Sequence, residues 1–152
     1  MVFCVLPKNS GGIFISRKPD SVATCAAIFC RTNDIEAVII SNTSDSTRND
    51  LKNIQGHQKG GLSGKPIELK STELVRKFYK ILNGKIKIIG VGGVDSGRSA
   101  YEKFIAGANC VQLYTGMVFR GPNIVKLIKK ELKELLLKDG VKNFSEIIGK
   151  TK

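Results

Sequence analysis

Three short segments carry the groups that could do chemistry. Ser41-Asn42-Thr43 sets a hydroxyl, a carboxamide and a second hydroxyl at the end of the apolar run Ala37-Val38-Ile39-Ile40. An asparagine donates and accepts hydrogen bonds at once, which suits a planar, amide-bearing ligand. The same residue types also make helix caps and Asx-turns, and on spacing alone that plainer reading leads. Gly92-Gly93, inside GVGGVDSG at 90–97, lies between an apolar run and a helix start. Glycine lets backbone approach a ligand closely, and the free amides of a helix N-terminus attract an anion. Tyr114-Thr115-Gly116 repeats the arrangement after the next apolar run. Together the two read as a phosphate-type site in preference to tight turns alone, with a side chain at Gly93 expected to fill the anion position.

Two better-known phosphate patterns are excluded by spacing. GGLSGKP at 60–66 has Lys59 where GxxxxGK[ST] needs its first glycine, and Pro66 where it needs Ser or Thr. GVGGVDSG has Asp95 at the third glycine of the dinucleotide fingerprint. A metal site is not expected either. Cys4, Cys25, Cys30 and Cys110 form no CxxC pair, and His57 is the lone histidine. Their spacing reads as reduced thiols.

The elements that must hold these segments follow from periodicity. Ala37–Ile40 is a short apolar run of the kind buried on both faces in a parallel sheet. Ser71 or Thr72 is placed to cap a helix through about Leu82, with Leu74, Val75, Phe78 and Leu82 on one face and Asn83-Gly84 as its stop. Ile86–Val91 reads as the next strand, a helix capped by Asp95 or Ser96 runs to Ile105, and Cys110–Tyr114 as a third strand. Gly121-Pro122 opens a last long helix with Val125, Ile128, Leu132 and Leu135 as its apolar stripe, and a short helix follows near Phe144–Ile148. Alternating strand and helix is a run of βα units. It fits a doubly wound sheet or part of a (βα)8 barrel, and both place ligands at the C-terminal ends of strands, where every cluster above falls.

Composition sets the outer bounds. At 152 residues and 41% apolar, the chain is long enough for a core and too apolar for a disordered one. No apolar run approaches the ~18 residues of a membrane span. The start, MVFCVLPKNSGG, lacks the basic region and long apolar stretch of a signal peptide. The net charge of +12 points toward a polyanion, but the lysines of KLIKKELKELLLKDG (126–140) alternate with glutamates as on a solvated helix face. With no aromatic platform beside them, no nucleic-acid partner is expected.

These residues together carry a resemblance. IISNTSDSTRNDL, GGLSGKPIELKSTELVRKFY and KIKIIGVGGVDSGRSAYEKFIAGANCVQLYTGMVFRGPNIVKLIKKELKELL are similar to the C-terminal part of dihydroorotate dehydrogenases. YTGMVFRGP and the long terminal helix resemble the quinone-linked class (class 2) more than the cytosolic class. The resemblance covers about Ile35 to Gly149, roughly three-quarters of the chain. It implies the fold class, an α/β C-terminal part of a (βα)8 TIM barrel with about three βα units, in residues 35–152, after a divergent or unrelated segment 1–34. It implies FMN as cofactor, oxidation of dihydroorotate to orotate in pyrimidine biosynthesis, and a quinone as electron acceptor. It assigns Asn42 and Thr43 to the substrate, Ser41 a place beside the flavin, backbone near the cofactor to Gly64, and the FMN phosphate to Gly93, Tyr114 and Thr115.

The departures bear on activity. The family's serine base belongs to an earlier part of the barrel, and nothing in this sequence resembles its motif, so no catalytic residue is assigned. The helices that contact quinone and the cytoplasmic side of the inner membrane are likewise unmatched, so the fragment itself is expected to be soluble. FISRKPD at 14–20 is similar to the family's strand with a flavin-contacting lysine, but Lys18 directly precedes Pro19 and the spacing to Asn42 is short. The resulting expectation is an enzyme part, inactive alone, whose partner could be a separate chain carrying the N-terminal half. Another FMN- or phosphate-binding barrel and a basic non-catalytic interaction module are the alternatives.

Overall fold

The computed structural model describes the backbone of residues 2–7 and 13–16, residues 30, 32, 35–45 and 51, and the continuous stretch 59–150. Five strands form one sheet: β1 (Val2–Pro7), β2 (Ile13–Ser16), β3 (Ile35–Ile40), β4 (Lys87–Val91) and β5 (Cys110–Gln112), in the order β2-β1-β3-β4-β5. β3, β4 and β5 run parallel, with Val38 opposite Ile88 and Gly90 opposite Val111. β1 is antiparallel to both β2 and β3. The segment before residue 35, which showed no sustained period, thus supplies a hairpin that pairs with the open edge of β3. VFCVLP and IFIS are too short for an alternation to stand out in sequence, yet edge pairing satisfies their backbone groups.

Each parallel crossover carries a helix. α1 (Glu68–Leu82) joins β3 to β4, and α2 (Gly97–Ile105) joins β4 to β5. α3 (Thr115–Arg120) and α4 (Ile124–Lys138) follow β5. α1 starts earlier than the sequence suggested, after a 3-10 turn at Lys65–Ile67 with Pro66 in its first turn. Proline pre-sets helical φ there, so Ser71 and Thr72 are interior helix residues and not caps. The C-terminal stop is as expected: Asn83 (φ 50°) and Gly84 (φ 69°) take the left-handed conformation. α2 has Ser96 as cap, with Ser99 closing the reciprocal pair of hydrogen bonds. TGMVFR forms the separate helix α3, and α4 begins at Ile124, beyond Gly121-Pro122, after a turn closed by Ile124 N–H donating to the Gly121 carbonyl (3.2 Å). The apolar stripe of α4 is Ile124, Ile128, Leu132 and Leu135, the last two half-buried against the same cluster, with Val125 turned to solvent.

All the helices with buried faces lie against one side of the sheet. Val38, Ile40 and Ile88 are buried against Val75, Phe78 and Leu82 of α1, and Val111 packs with Val94, Phe104 and Ile124. In a closed barrel alternate strand residues face the interior and the others face the helices. Val38, Ile40, Ile88 and Val111 face the helices. The opposite face carries Ala37, Ile39, Ile89 and Val91, all half-exposed, and exposed Cys110 and Gln112. Side chains alternate along a strand, so one residue of register decides which set is covered. A sheet clothed by helices on its convex side and open on the other is the cross-section of a (βα)8 barrel cut along its length.

Phe78, 1% exposed at the centre of this layer, is the most informative core truncation. Phe78→Ala is expected to cost about 3–5 kcal/mol of unfolding free energy, read from urea titrations followed by circular dichroism. The half-open sheet face should also make the purified chain self-associate, seen as concentration-dependent sedimentation above 16.6 kDa.

Candidate functional site

Parallel pairing puts the C-terminal ends of β3, β4 and β5 at one edge. A cavity of about 690 Å³ opens there. Its wall includes Asn42 and Thr43 after β3, Gly92, Gly93, Val94 and Asp95 after β4, and Gln112 at the end of β5 with the four residues that follow it. Ser63, Gly64 and Lys65 close it from the glycine-rich loop. That loop is pinned back onto the β3 end by two hydrogen bonds, Ser44 N–H to the Leu62 carbonyl (2.9 Å) and Leu62 N–H to the Ser44 carbonyl (2.7 Å). Ser44 and Leu62 are thereby held side by side.

Of the residues singled out from sequence, Asn42, Thr43, Gly64, Gly93, Tyr114 and Thr115 all line this cavity. Ser41 does not. It is 1% exposed, its amide bonds to the Val91 carbonyl (3.3 Å), and its hydroxyl donates to the same oxygen (3.4 Å). It ties the ends of β3 and β4 together one layer below the wall. Lys18 lies outside the described residues.

The glycines are there for close approach. A Cβ on Gly64 (φ 76°) would stand 2.8 Å from the Thr115 methyl, and Gly61 faces the Thr43 side chain with no room for one. A Cβ on Gly93 (φ 75°) would stand 2.5 Å from Glu68 Cα. A side chain at Gly93 would thus strike the start of α1 and would not fill an anion position in the cavity. Thr115 Oγ1 donates to Ser63 Oγ (3.0 Å), bracing the wall across the mouth.

The electrostatics are mixed at the rim and positive beneath. Lys65 bridges Glu68 (2.6 Å) and Asp95 (3.4 Å), which raises its pKa, the Glu68 hydrogen bond first. Arg120 donates to the Asp95 carbonyl (2.8 Å). The amides at the start of α2 are already taken: Gly97 N–H by the Glu131 carboxylate (2.6 Å), Ser99 N–H by Ser96 (3.2 Å), and the amides of Asp95 and Ser96 by Ser99 Oγ (3.0 Å each). These four amides of the helix start are therefore not available to an anion. The amides of Gly93, Thr115 and Gly116 make no hydrogen bond among the described residues, and all three residues line the cavity. That donor set fits an anion such as a phosphate.

The residue that sequence reasoning missed is Lys103. It is wholly buried and donates to Ser71 Oγ (2.7 Å) and Thr72 Oγ1 (3.0 Å). The lysines were read as solvated, but position 103 falls on the helix stripe with Ala100 and Phe104, a signal present in the sequence. Burial pulls its pKa down to about 8, partly offset by Glu68.

An α/β sheet with a loop-built, amide-lined pocket at its strand ends defines a ligand-binding barrel segment. The chain belongs to the dihydroorotate dehydrogenase family, whose model matches residues 18–136. It is 46% identical over 112 residues to dihydroorotate dehydrogenase (quinone) of Deinococcus radiodurans, covering 74% of this chain and 30% of that protein. It is 44% identical over 123 residues to the mitochondrial dihydroorotate dehydrogenase (quinone) of Mus musculus, covering 81% and 31%. Crystal structures of Eimeria tenella DHODH superpose with TM-scores of 0.83 (ferulenol complex) and 0.85 (ligand-free), both at 34% identity. They cover 86% and 88% of this chain and 35% and 37% of those. The chain thus spans about a third of the length of the relatives it matches. No helix among the described residues is long and apolar enough to cross a membrane.

The lowered pKa of Lys103 carries a sign. Above pH ~8 the folded chain holds fewer protons than the unfolded one, whose lysine titrates near 10.4, so stability rises with pH across that window. Chemical denaturation of the wild type and Lys103→Met between pH 7 and ~10 should show the wild type gaining relative to the variant.

Proposed function

We propose that this chain forms the phosphate- and orotate-facing part of a quinone-linked dihydroorotate dehydrogenase. The observation that supports it is the convergence, at one cavity, of Asn42 and Thr43 with Gly93, Tyr114 and Thr115. The first pair stands at the end of β3, suited to a planar imide and carboxylate such as orotate. The second group stands at the ends of β4 and β5, one and two strands away, where free amides suit the phosphate of FMN. The cavity, about 690 Å³, is within the usual range for a site that takes a cofactor and a small substrate.

When bound, the flavin supplies the hydride acceptor. The chain's own residues bind and orient. Gly64 and Gly61 keep their loop close to Thr115 and Thr43. Ser41 holds the β3 and β4 ends in register, which fixes where Asn42 points. Tyr114, 81% exposed at the rim, offers an apolar wall to a ring system. In the complete enzyme, a quinone at the membrane surface is the proposed acceptor of the electrons.

Proton removal from dihydroorotate needs a base within hydrogen-bond reach, and no residue of this chain is assigned that role. The purified chain is therefore expected to bind FMN and orotate and to oxidise dihydroorotate no faster than free FMN. Spectrophotometric turnover assays check the second half. Isothermal titration checks the first, with Asn42→Ala expected to weaken orotate at least 10-fold, the loss of an oriented amide worth about 1.4 kcal/mol. Turnover above free flavin, or orotate binding indifferent to Asn42, would overturn the reading.

A further inference from the structure

Lys103 is a charge in the interior with no carboxylate of the described residues within ion-pair distance. Burying an ammonium costs several kcal/mol unless its donors are used, so its surroundings bear directly on its role. Its partners are two hydroxyls of α1, Ser71 and Thr72.

The direction of these bonds is fixed by chemistry. An ammonium only donates, so both hydroxyls must act as acceptors toward it and turn their own protons elsewhere. Thr72 donates to the Glu68 carbonyl (2.8 Å). Ser71 has two carbonyls within reach, Glu68 (3.0 Å) and Gly92 (2.7 Å). The Glu68 oxygen is already served by Thr72, and the Gly92 contact is the shorter. The relay therefore runs from Lys103 through Ser71 to the Gly92 carbonyl.

That carbonyl belongs to the peptide whose other half is the Gly93 amide. In a trans peptide the C=O and N–H point in opposite directions. Holding the Gly92 oxygen toward α1 turns the Gly93 N–H away from α1, on the side of the cavity that both glycines line. The stem of Lys103 packs against the end of β4 that leads into this loop: a Cβ on Gly90 would lie 3.1 Å from its Cδ.

We propose that Lys103 is a positioning residue for anion binding, acting through Ser71 and the Gly92 carbonyl to aim the Gly93 amide at the phosphate of the bound ligand. The inference rests on the phosphate reading of the cavity above. Lys103 touches no ligand itself. Its buried charge also adds an attractive potential behind the loop, where low dielectric screens it little.

The test compares FMN with riboflavin, which shares the ring and lacks the phosphate, on the full chain. Wild type should bind FMN more tightly than riboflavin, and its Gly93 amide resonance should shift on titration with inorganic phosphate. Ser71→Ala, which keeps the ammonium, and Lys103→Met should each weaken FMN about 10-fold and leave riboflavin unchanged, with the Gly93 resonance displaced before any ligand is added. A role confined to packing would lower both affinities together. If either folded variant keeps the wild-type FMN preference with an unmoved Gly93 resonance, the relay is wrong and the phosphate reading stands. If wild type binds FMN no better than riboflavin and Gly93 ignores phosphate, both fail.

Discussion

The parallel hydrogen bonding of β4 between β3 and β5 is the constraint from which the rest follows. Parallel neighbours cannot be joined by a tight turn, so each connection crosses over as a helix, and both crossovers lie on one face. The same pairing brings three strand ends to one edge. Asn42, Gly93 and Tyr114, each more than twenty residues from the next, meet there because their strands end together. Ser41, bonded through both amide and hydroxyl to Val91, locks this alignment at its upper rung.

Glycines set the closest approaches around the cavity. Gly61, Gly64 and Gly93 each stand where a Cβ would collide with Thr43, Thr115 or α1. The cost of so much glycine is conformational entropy in the unfolded chain. It is offset by tethers that fix each loop from behind: Ser44–Leu62 for the first, Thr115–Ser63 across the mouth, and Ser71 for Gly92. Beneath them, the α2–α4 contact is closed by the Glu131 carboxylate on Gly97 N–H and by Tyr101, whose hydroxyl bonds Asp139 and has its pKa pushed up to about 12. Loops that carry a ligand are positioned by a scaffold stiffer than themselves.

The N-terminal hairpin gives this sheet an unusual margin. β1 runs antiparallel to β3 at the edge where a closed barrel would continue in parallel. Pairing of Phe3 through Pro7 with Ile40 through Ile35 uses the edge groups of β3, though β2 then becomes the outer strand on that side. At the far side β5 is short, and Val118 and Phe119 of the following helix are exposed beside it. The sheet is therefore a segment with two ends, not a closed surface.

The sequence by itself determined the order of βα units, the family, and nearly all of the cavity wall. Those rest on local signals: apolar runs, glycines at strand ends, and long continuous motifs. Asn83-Gly84 and Ser96 act as the helix stop and cap that their residue types demand. Tertiary structure decided what local signals cannot carry. Which face of β3 and β4 meets the helices depends on a single residue of register, so Val38, Ile40 and Ile88 went to the helix side. Ser71 and Thr72 look like caps until Pro66 starts the helix earlier and turns both toward Lys103. Ser41 reads from sequence as one of three polar groups at a strand end, and strand pairing is what buries it against Val91. The helix start is set locally by Pro66. The partners of Ser41, of Ser71 and Thr72, and of the strand faces lie tens of residues away in the chain, and those interactions exist only once the two parts are packed together.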